Sequence, residues 1–163
     1  MMTGQSSAMN ARSRRSIIGR KRQEPDISAS HPKEAFLRPS DQLVDLAKRA
    51  EHRLSVVFDA PEVLPFAAKA IVLIGSFPAM REDFEREFKT MRAYAPREFV
   101  QVCMHALRWP ELRSFFEQQS RLAIAQNDWP AIADYGKYLD AFEDDWEDAG
   151  TFYCRYFVES AND

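Results

Sequence analysis

Residues 78–94 read PAMREDFEREFKTMRAY. Met80, Phe84, Phe88 and Met91 recur at helical spacing, so they form one apolar stripe with the charges on the opposite side. Glu82–Arg86 and Glu85–Lys89 are i,i+4 pairs with the acid first, the better orientation, worth roughly 0.2–0.5 kcal/mol each. This segment predicts an amphipathic helix, and the same period continues on both sides of it.

Toward the C-terminus, Pro96 stands at a favoured early helix position, followed by Phe99, Val102, Cys103, Ala106 and Leu107 on one face. Trp109-Pro110 and Trp129-Pro130 come next, each heading a helical pattern. Helix 110–126 uses Leu112, Phe115, Phe116 and Leu122; helix 130–146 uses Ile132, Tyr135, Leu139, Phe142 and Trp146. The matched offsets after the two Trp-Pro steps are too few to establish a repeat, which normally needs three or more units. Residues 140–148, DAFEDDWED, hold six acids in nine positions. Acids oppose the dipole at a helix C-terminus and favour it at an N-terminus. One helix is therefore expected to end near Asp144 and a last one to run on through Phe152, Tyr153, Tyr156 and Phe157.

Toward the N-terminus, Gly75 and Pro78 break the chain after PFAAKAIVLI, residues 65–74. That stretch is apolar nearly all round, which predicts a central helix covered on every side, with Lys69 snorkelling to an edge. It is too short to span a bilayer. Asp59 and Glu62 have capping-box spacing, with Pro65 delaying the helix proper. Before them, Leu43, Leu46, Ala47, Ala50, Leu54 and Val57 form an apolar face, with Ser40 as the expected N-cap.

No alternating apolar pattern supports a strand, and only Gly75, Gly136 and Gly150 fall outside the leader. The reading is all-α: an irregular bundle of six or seven helices over residues 40–163, preceded by a disordered basic arm over residues 1–39. The arm is polar, includes Pro25, Pro32 and Pro39, and concentrates Arg12, Arg14, Arg15, Arg20, Lys21 and Arg22 around Ile17 and Ile18. Phe36 and Leu37 are expected to pin its end to the body.

Charge is sorted along the chain. Residues 1–39 carry eight Lys/Arg against three Asp/Glu, residues 40–127 carry twelve of each, and residues 128–163 carry two against ten. Fold imposes no such ordering; it speaks to partners. The acidic end is also the aromatic end, with nine of the twenty aromatic residues between Trp129 and Phe157.

Two cysteines, Cys103 and Cys154, make no disulfide framework and suit a reducing, cytoplasmic setting. No secretory segment or membrane-spanning run is evident. Residues 1–23 have no acid, six Lys/Arg and four Ser, the composition of a mitochondrial transit peptide if the source is eukaryotic.

Motifs that carry chemistry are missing. There is no GxGxxG, GxxxxGK[ST], HExxH or GxSxG. None of His31, His52 and His105 completes the Glu-x-x-His of a di-iron bundle. Cys103 and His105 lie two apart and so point away from one another on a helix. His52 has no residue placed in sequence to orient it as a base. A calcium loop starting at Asp145 fails at Ala149 and Tyr156. A helix-turn-helix around Leu46–Val57 lacks its turn glycine, with Glu51 in its place.

The expectation is a non-enzymatic interaction protein with no cofactor: a small helical adaptor, regulator or assembly subunit of a larger complex. The arm would contact nucleic acid or an acidic partner through Arg12, Arg14, Arg15, Arg20, Lys21 and Arg22. Asp144, Asp145, Trp146, Glu147 and Asp148 would contact another protein. The runner-up is an acidic inhibitor or nucleic-acid mimic acting through the C-terminal face alone. An enzyme comes last.

Overall fold

The computed structural model describes residues 37–154 and 156; among these it contains seven α-helices and no strand. They are α1 (Pro39–Val57), α2 (Leu64–Ser76), α3 (Arg81–Thr90), α4 (Arg97–Leu107), α5 (Pro110–Gln126), α6 (Trp129–Asp140) and α7 (Glu147–Thr151). The all-α bundle read from the sequence is therefore the architecture. The basic cluster Arg12–Arg22 and Phe36 lie outside the described residues, and Leu37 is exposed.

The helix at the centre is α4. Phe99, Val100, Gln101, Val102, Cys103 and Met104 are buried consecutively, which requires neighbours on every side. It packs between α2 and α6. α1 folds against α2 and α3, and α3 reaches α5. The α5–α6 pair is an αα-hairpin closed by Asn127 and Asp128.

This corrects the expectation that residues 65–74 form the fully covered helix. α2 buries only Ala67, Ala70 and Ile74, and Val72 is 69% exposed. Two alanines on the contact face let α1 and α4 approach closely on one side. Among the described residues, no helix covers Val72 on the other. Uniform apolarity records what a helix tolerates, not how many neighbours it has.

Local chemistry sets the helix ends. α1 begins with Pro39 in its first turn, and Ser40 is buried inside the helix instead of capping it. The Arg38 guanidinium meets the Asp41 carboxylate at 3.1 Å there. Asp59 makes no side-chain cap, and Glu62 turns back to Arg53 at 2.7 Å, so the capping box does not form. A 3-10 turn, Ala60–Val63, fills the space before Pro65, and α2 starts one residue earlier at Leu64. The 78–94 segment is α3 flanked by single 3-10 turns, Pro78–Met80 and Met91–Ala93. Its ion pairs differ from those expected: Arg86 meets Asp83 at 2.8 Å and Arg81 meets Glu85 at 2.9 Å. Lys89 lies over the Phe115 ring at 5.7 Å.

Glycine closes none of these helices. α1, α4 and α5 each end on a left-handed residue, Phe58, Arg108 and Asn127, with φ of 57°, 50° and 56°. That conformation costs a non-glycine residue roughly 1–2 kcal/mol, less for Asn. α6 has a clean cap: the Ala131 N–H donates to the Asp128 carboxylate at 3.1 Å. The helix expected to reach Asp144 stops at Asp140, and the expected long last helix is the short α7.

The two Trp-Pro steps have unlike surroundings. Trp109 meets Phe88 edge-on at 6.3 Å, with the Arg81 guanidinium over its ring at 4.8 Å. Trp129 is 72% exposed at the hairpin tip. Inside the hairpin, Phe116 is the hub, with ring centroids 5.1 Å from Tyr138, 6.1 Å from Tyr135 and 6.5 Å from Phe142. Among the described residues no single helix is long and apolar enough to cross a membrane.

Phe116→Ala is expected to cost about 3–5 kcal/mol in urea unfolding, because it empties the centre of this ring cluster. Trp129→Ala is expected to stay within about 0.5 kcal/mol. Equal effects would contradict the inward and outward placement of the two rings.

Candidate functional site

The acidic run is a turn tacked onto the bundle by its apolar residues. After Asp140, backbone bonds from Phe142 N–H to Leu139 O and from Glu143 N–H to Asp140 O tighten the chain. Ala141, Phe142 and Trp146 are buried, and Tyr153 beyond α7 joins them. Trp146 packs against Tyr153 at 5.5 Å and the His105 imidazole at 5.1 Å. With those side chains turned in, Glu143, Asp144, Asp145 and Glu147 face solvent, and Asp148 is half-buried.

Three side chains from α4 and α5 hold this turn. His105 Nδ1 lies 2.8 Å from the Ala141 carbonyl oxygen, an acceptor left over at the end of α6. Arg108, in its left-handed position at the end of α4, reaches the Asp144 carboxylate and donates to the Glu143 carbonyl at 3.5 Å. Arg113 on α5 meets the Glu143 carboxylate at 3.0 Å. These arginine pairs are all at least a third exposed, so each contributes at most about 1 kcal/mol. The buried aromatic residues fix the turn and the arginines trim it.

Between the end of α6 and α7 lies a recess of about 250 Å³. Asp140, Glu143, Asp145, Glu147 and Asp148 line it, together with Lys137 and Trp146. Glu143 is occupied by Arg113, and Asp140 lies 3.9 Å from the Lys137 ammonium. Among the described residues, no cation is paired with Asp145, Glu147 or Asp148. The recess therefore presents unneutralised carboxylates on a fixed backbone, an arrangement suited to a guanidinium or ammonium group.

The sequence-based site residues separate into three groups. Asp145, Glu147 and Asp148 come together at the recess. Asp144 points to Arg108 instead, and Trp146, at 6% exposure, belongs to the core more than to a contact surface. The basic cluster Arg12, Arg14, Arg15, Arg20, Lys21 and Arg22 lies outside the described residues. Sequence reading missed His105, Arg108 and Arg113 as the anchors. They sit about 30 to 36 residues before their partners, and no local pattern links the two.

Cys103 and His105 do not act together. The Cys103 thiol is fully buried, and that burial pushes its ionisation far up, the opposite of an activated nucleophile. Burial also lowers His105 below its ordinary 6.5, with the Arg108 charge adding to this and the Ala141 carbonyl and Asp144 opposing it. His52 is exposed. Among the described residues no group of three or more His, Cys, Asp or Glu is placed to hold a metal ion.

A thiol-disulfide exchange reagent is expected to modify exposed Cys154 in the folded chain and to spare Cys103 until urea is added. Rapid native labelling of both would contradict the burial of α4. No protein-family model matches the chain, and neither a curated protein nor a solved structure matches it.

Proposed function

We propose that this protein is a non-enzymatic interaction protein, a helical adaptor, regulator or assembly subunit, that docks a cationic segment of a partner protein at the recess between α6 and α7. The observation that carries this reading is the set of three carboxylates, Asp145, Glu147 and Asp148, held on a turn anchored by Trp146, none of them ion-paired among the described residues, with Lys137 of the same recess directed to Asp140. A charge run that served only solubility would need no such anchoring. A lysine or arginine side chain suits the recess in size and charge, and Arg fits best where two carboxylate oxygens can be reached at once.

The basic residues Arg12, Arg14, Arg15, Arg20, Lys21 and Arg22 supply the second contact, with nucleic acid or an acidic partner surface. Their support is compositional: six cations in eleven positions with no acid among them.

The two contacts are tested separately. Replacing Asp145 and Asp148 with Asn and Glu147 with Gln is expected to weaken binding of an arginine-rich peptide about tenfold at low salt, read by titration calorimetry. Unchanged binding would remove the recess as a docking site. Deleting residues 1–23 is expected to abolish retention on a polyanion column and to flatten its salt dependence. Unchanged retention would remove the basic cluster from the function.

A further inference from the structure

A second recess, of about 320 Å³, opens where α2 ends and shares no lining residue with the acidic one. α2 contributes Ile71, Ile74 and Gly75 to it, and the end of α4 contributes Leu107, with Trp109 beyond. The Phe77-Pro78 turn and Arg81, the first residue of α3, complete the lining. Contributions from α2, α3, α4 and the links between them make this a concavity, in contrast to the bare face around Val72. Its apolar parts are fixed by the fold. Ile74 is buried, and Ile71 and Leu107 pack on the core. Trp109 is held edge-on by Phe88 and by the Arg81 guanidinium over its ring. The cavity is therefore formed before anything enters it, as small-molecule sites usually are.

Gly75 is the residue that folding does not call for. It lies in the last turn of α2, and no glycine among the described residues has a positive φ. A Cβ built on it meets nothing within 4 Å. Glycine weakens a helix relative to alanine, and here neither backbone conformation nor packing asks for it. What it leaves is bare backbone in the lining of the recess, where a ligand can approach closely.

Arg81 is the single charged residue in the described lining, and its charge is already matched. Nε donates to the Glu85 carboxylate at 2.9 Å and Nη2 to the Glu111 carboxylate at 2.5 Å. Among the described residues Nη1 has no acceptor, so the guanidinium keeps donors to spare. An anionic ligand would be drawn by Arg81 but opposed by Glu85 and Glu111. A cationic one would meet the guanidinium directly. An uncharged one faces neither penalty.

We propose that this recess is a binding site for a compact, uncharged, largely apolar small molecule with one hydrogen-bond acceptor. Its apolar body lies over Gly75 between Ile71 and Leu107, and its acceptor points to Arg81. The volume equals that of about ten waters in the liquid, and a lining with so few polar groups holds them poorly. Displacing such water by apolar groups favours binding. A stable protein interface covers about 800 Å² of each partner, so a single notch suits a small molecule better than a second protein.

Fluorescence titration of the full chain with prodan, an uncharged naphthyl ketone whose emission moves to the blue on leaving water, tests the site. One prodan per chain is expected, with a Kd on the order of 10–100 µM. Gly75→Leu places a side chain in the recess without a clash and is expected to weaken binding at least about tenfold. Gly136→Leu, at an equally open helical glycine outside the recess, is expected to bind as the native chain does. Arg81→Met keeps the stem, drops the donors and is expected to weaken prodan several-fold. No saturable binding to the native chain would overturn the proposal, as would native affinity in G75L. Tighter binding of the anionic probe anilinonaphthalene sulfonate, lost in G75L, would overturn the assignment of an uncharged ligand. A native dimer in sedimentation equilibrium that G75L dissolves would give the recess to a second copy and overturn it too. Should G75L fold poorly by circular dichroism, Ile71→Trp fills the recess from the preceding turn of α2 and is read in the same way.

Discussion

Everything in this fold is arranged around the burial of α4. Six consecutive residues from Phe99 to Met104 have almost no contact with water, so α2, α6 and the elements behind them must close around the helix. Burying that many side chains, at about 1.5–3 kcal/mol for each large apolar one, is the largest local source of stability. It also dictates where polar chemistry can occur. Gln101, caught inside, turns its amide to the Lys137 carbonyl at 3.2 Å, in keeping with the need of buried polar groups for a partner. The helix carries Arg, Glu and His side chains only toward its ends, and its last turn and the Arg108 that follows emerge where the acidic turn is tied down.

The helices themselves were legible because their apolar residues keep a 3.6 period and because prolines mark their starts. Pro39, Pro110 and Pro130 each sit in the first turn of the helix they announce, and Pro65 holds back α2. The hierarchy of burial was not legible. The most apolar stretch, residues 65–74, lost the central place to a helix carrying Gln101 and His105. Coverage depends on which elements meet a helix, a long-range property, and a single helix's composition does not contain it. Capping at Ser40 and Asp59 failed for a related reason: tertiary contacts took Ser40 into the core and drew Glu62 to Arg53.

The site was legible in composition and opaque in anchoring. The concentration of acids and aromatic rings after Trp129 marks the region, and the inward packing of Phe142 and Trp146 leaves the intervening acids facing outward. Sequence spacing could not show that Trp146 belongs to the core, since a tryptophan among acids looks the same whether it anchors inward or is offered to a partner. Nor could it pair His105 with Ala141 across 36 residues. Trp109 and Trp129 carry the same lesson: identical dipeptides, each opening a helix, differ in exposure because α3 stands over one of them and nothing described stands over the other.

The surplus charge of the C-terminal third can now be followed residue by residue. Asp128 caps α6, Asp134 meets Arg92 at 3.0 Å and Arg97 at 3.7 Å, and Asp140 faces Lys137. Glu143 and Asp144 are taken by Arg113 and Arg108. Five of the eight acids between 128 and 148 thus have a structural task within the described residues, and three are left over. Those three are neighbours on one recess, not scattered over the surface. Random excess charge would repel itself apart, whereas here the buried rings of Phe142, Trp146 and Tyr153 force it together. Like charges held close raise the local field and favour any cation that approaches, while surface screening keeps the gain per contact small. As the proposed docking site, such a recess would bind weakly and with strong salt sensitivity, and its strength would come from several contacts made at once.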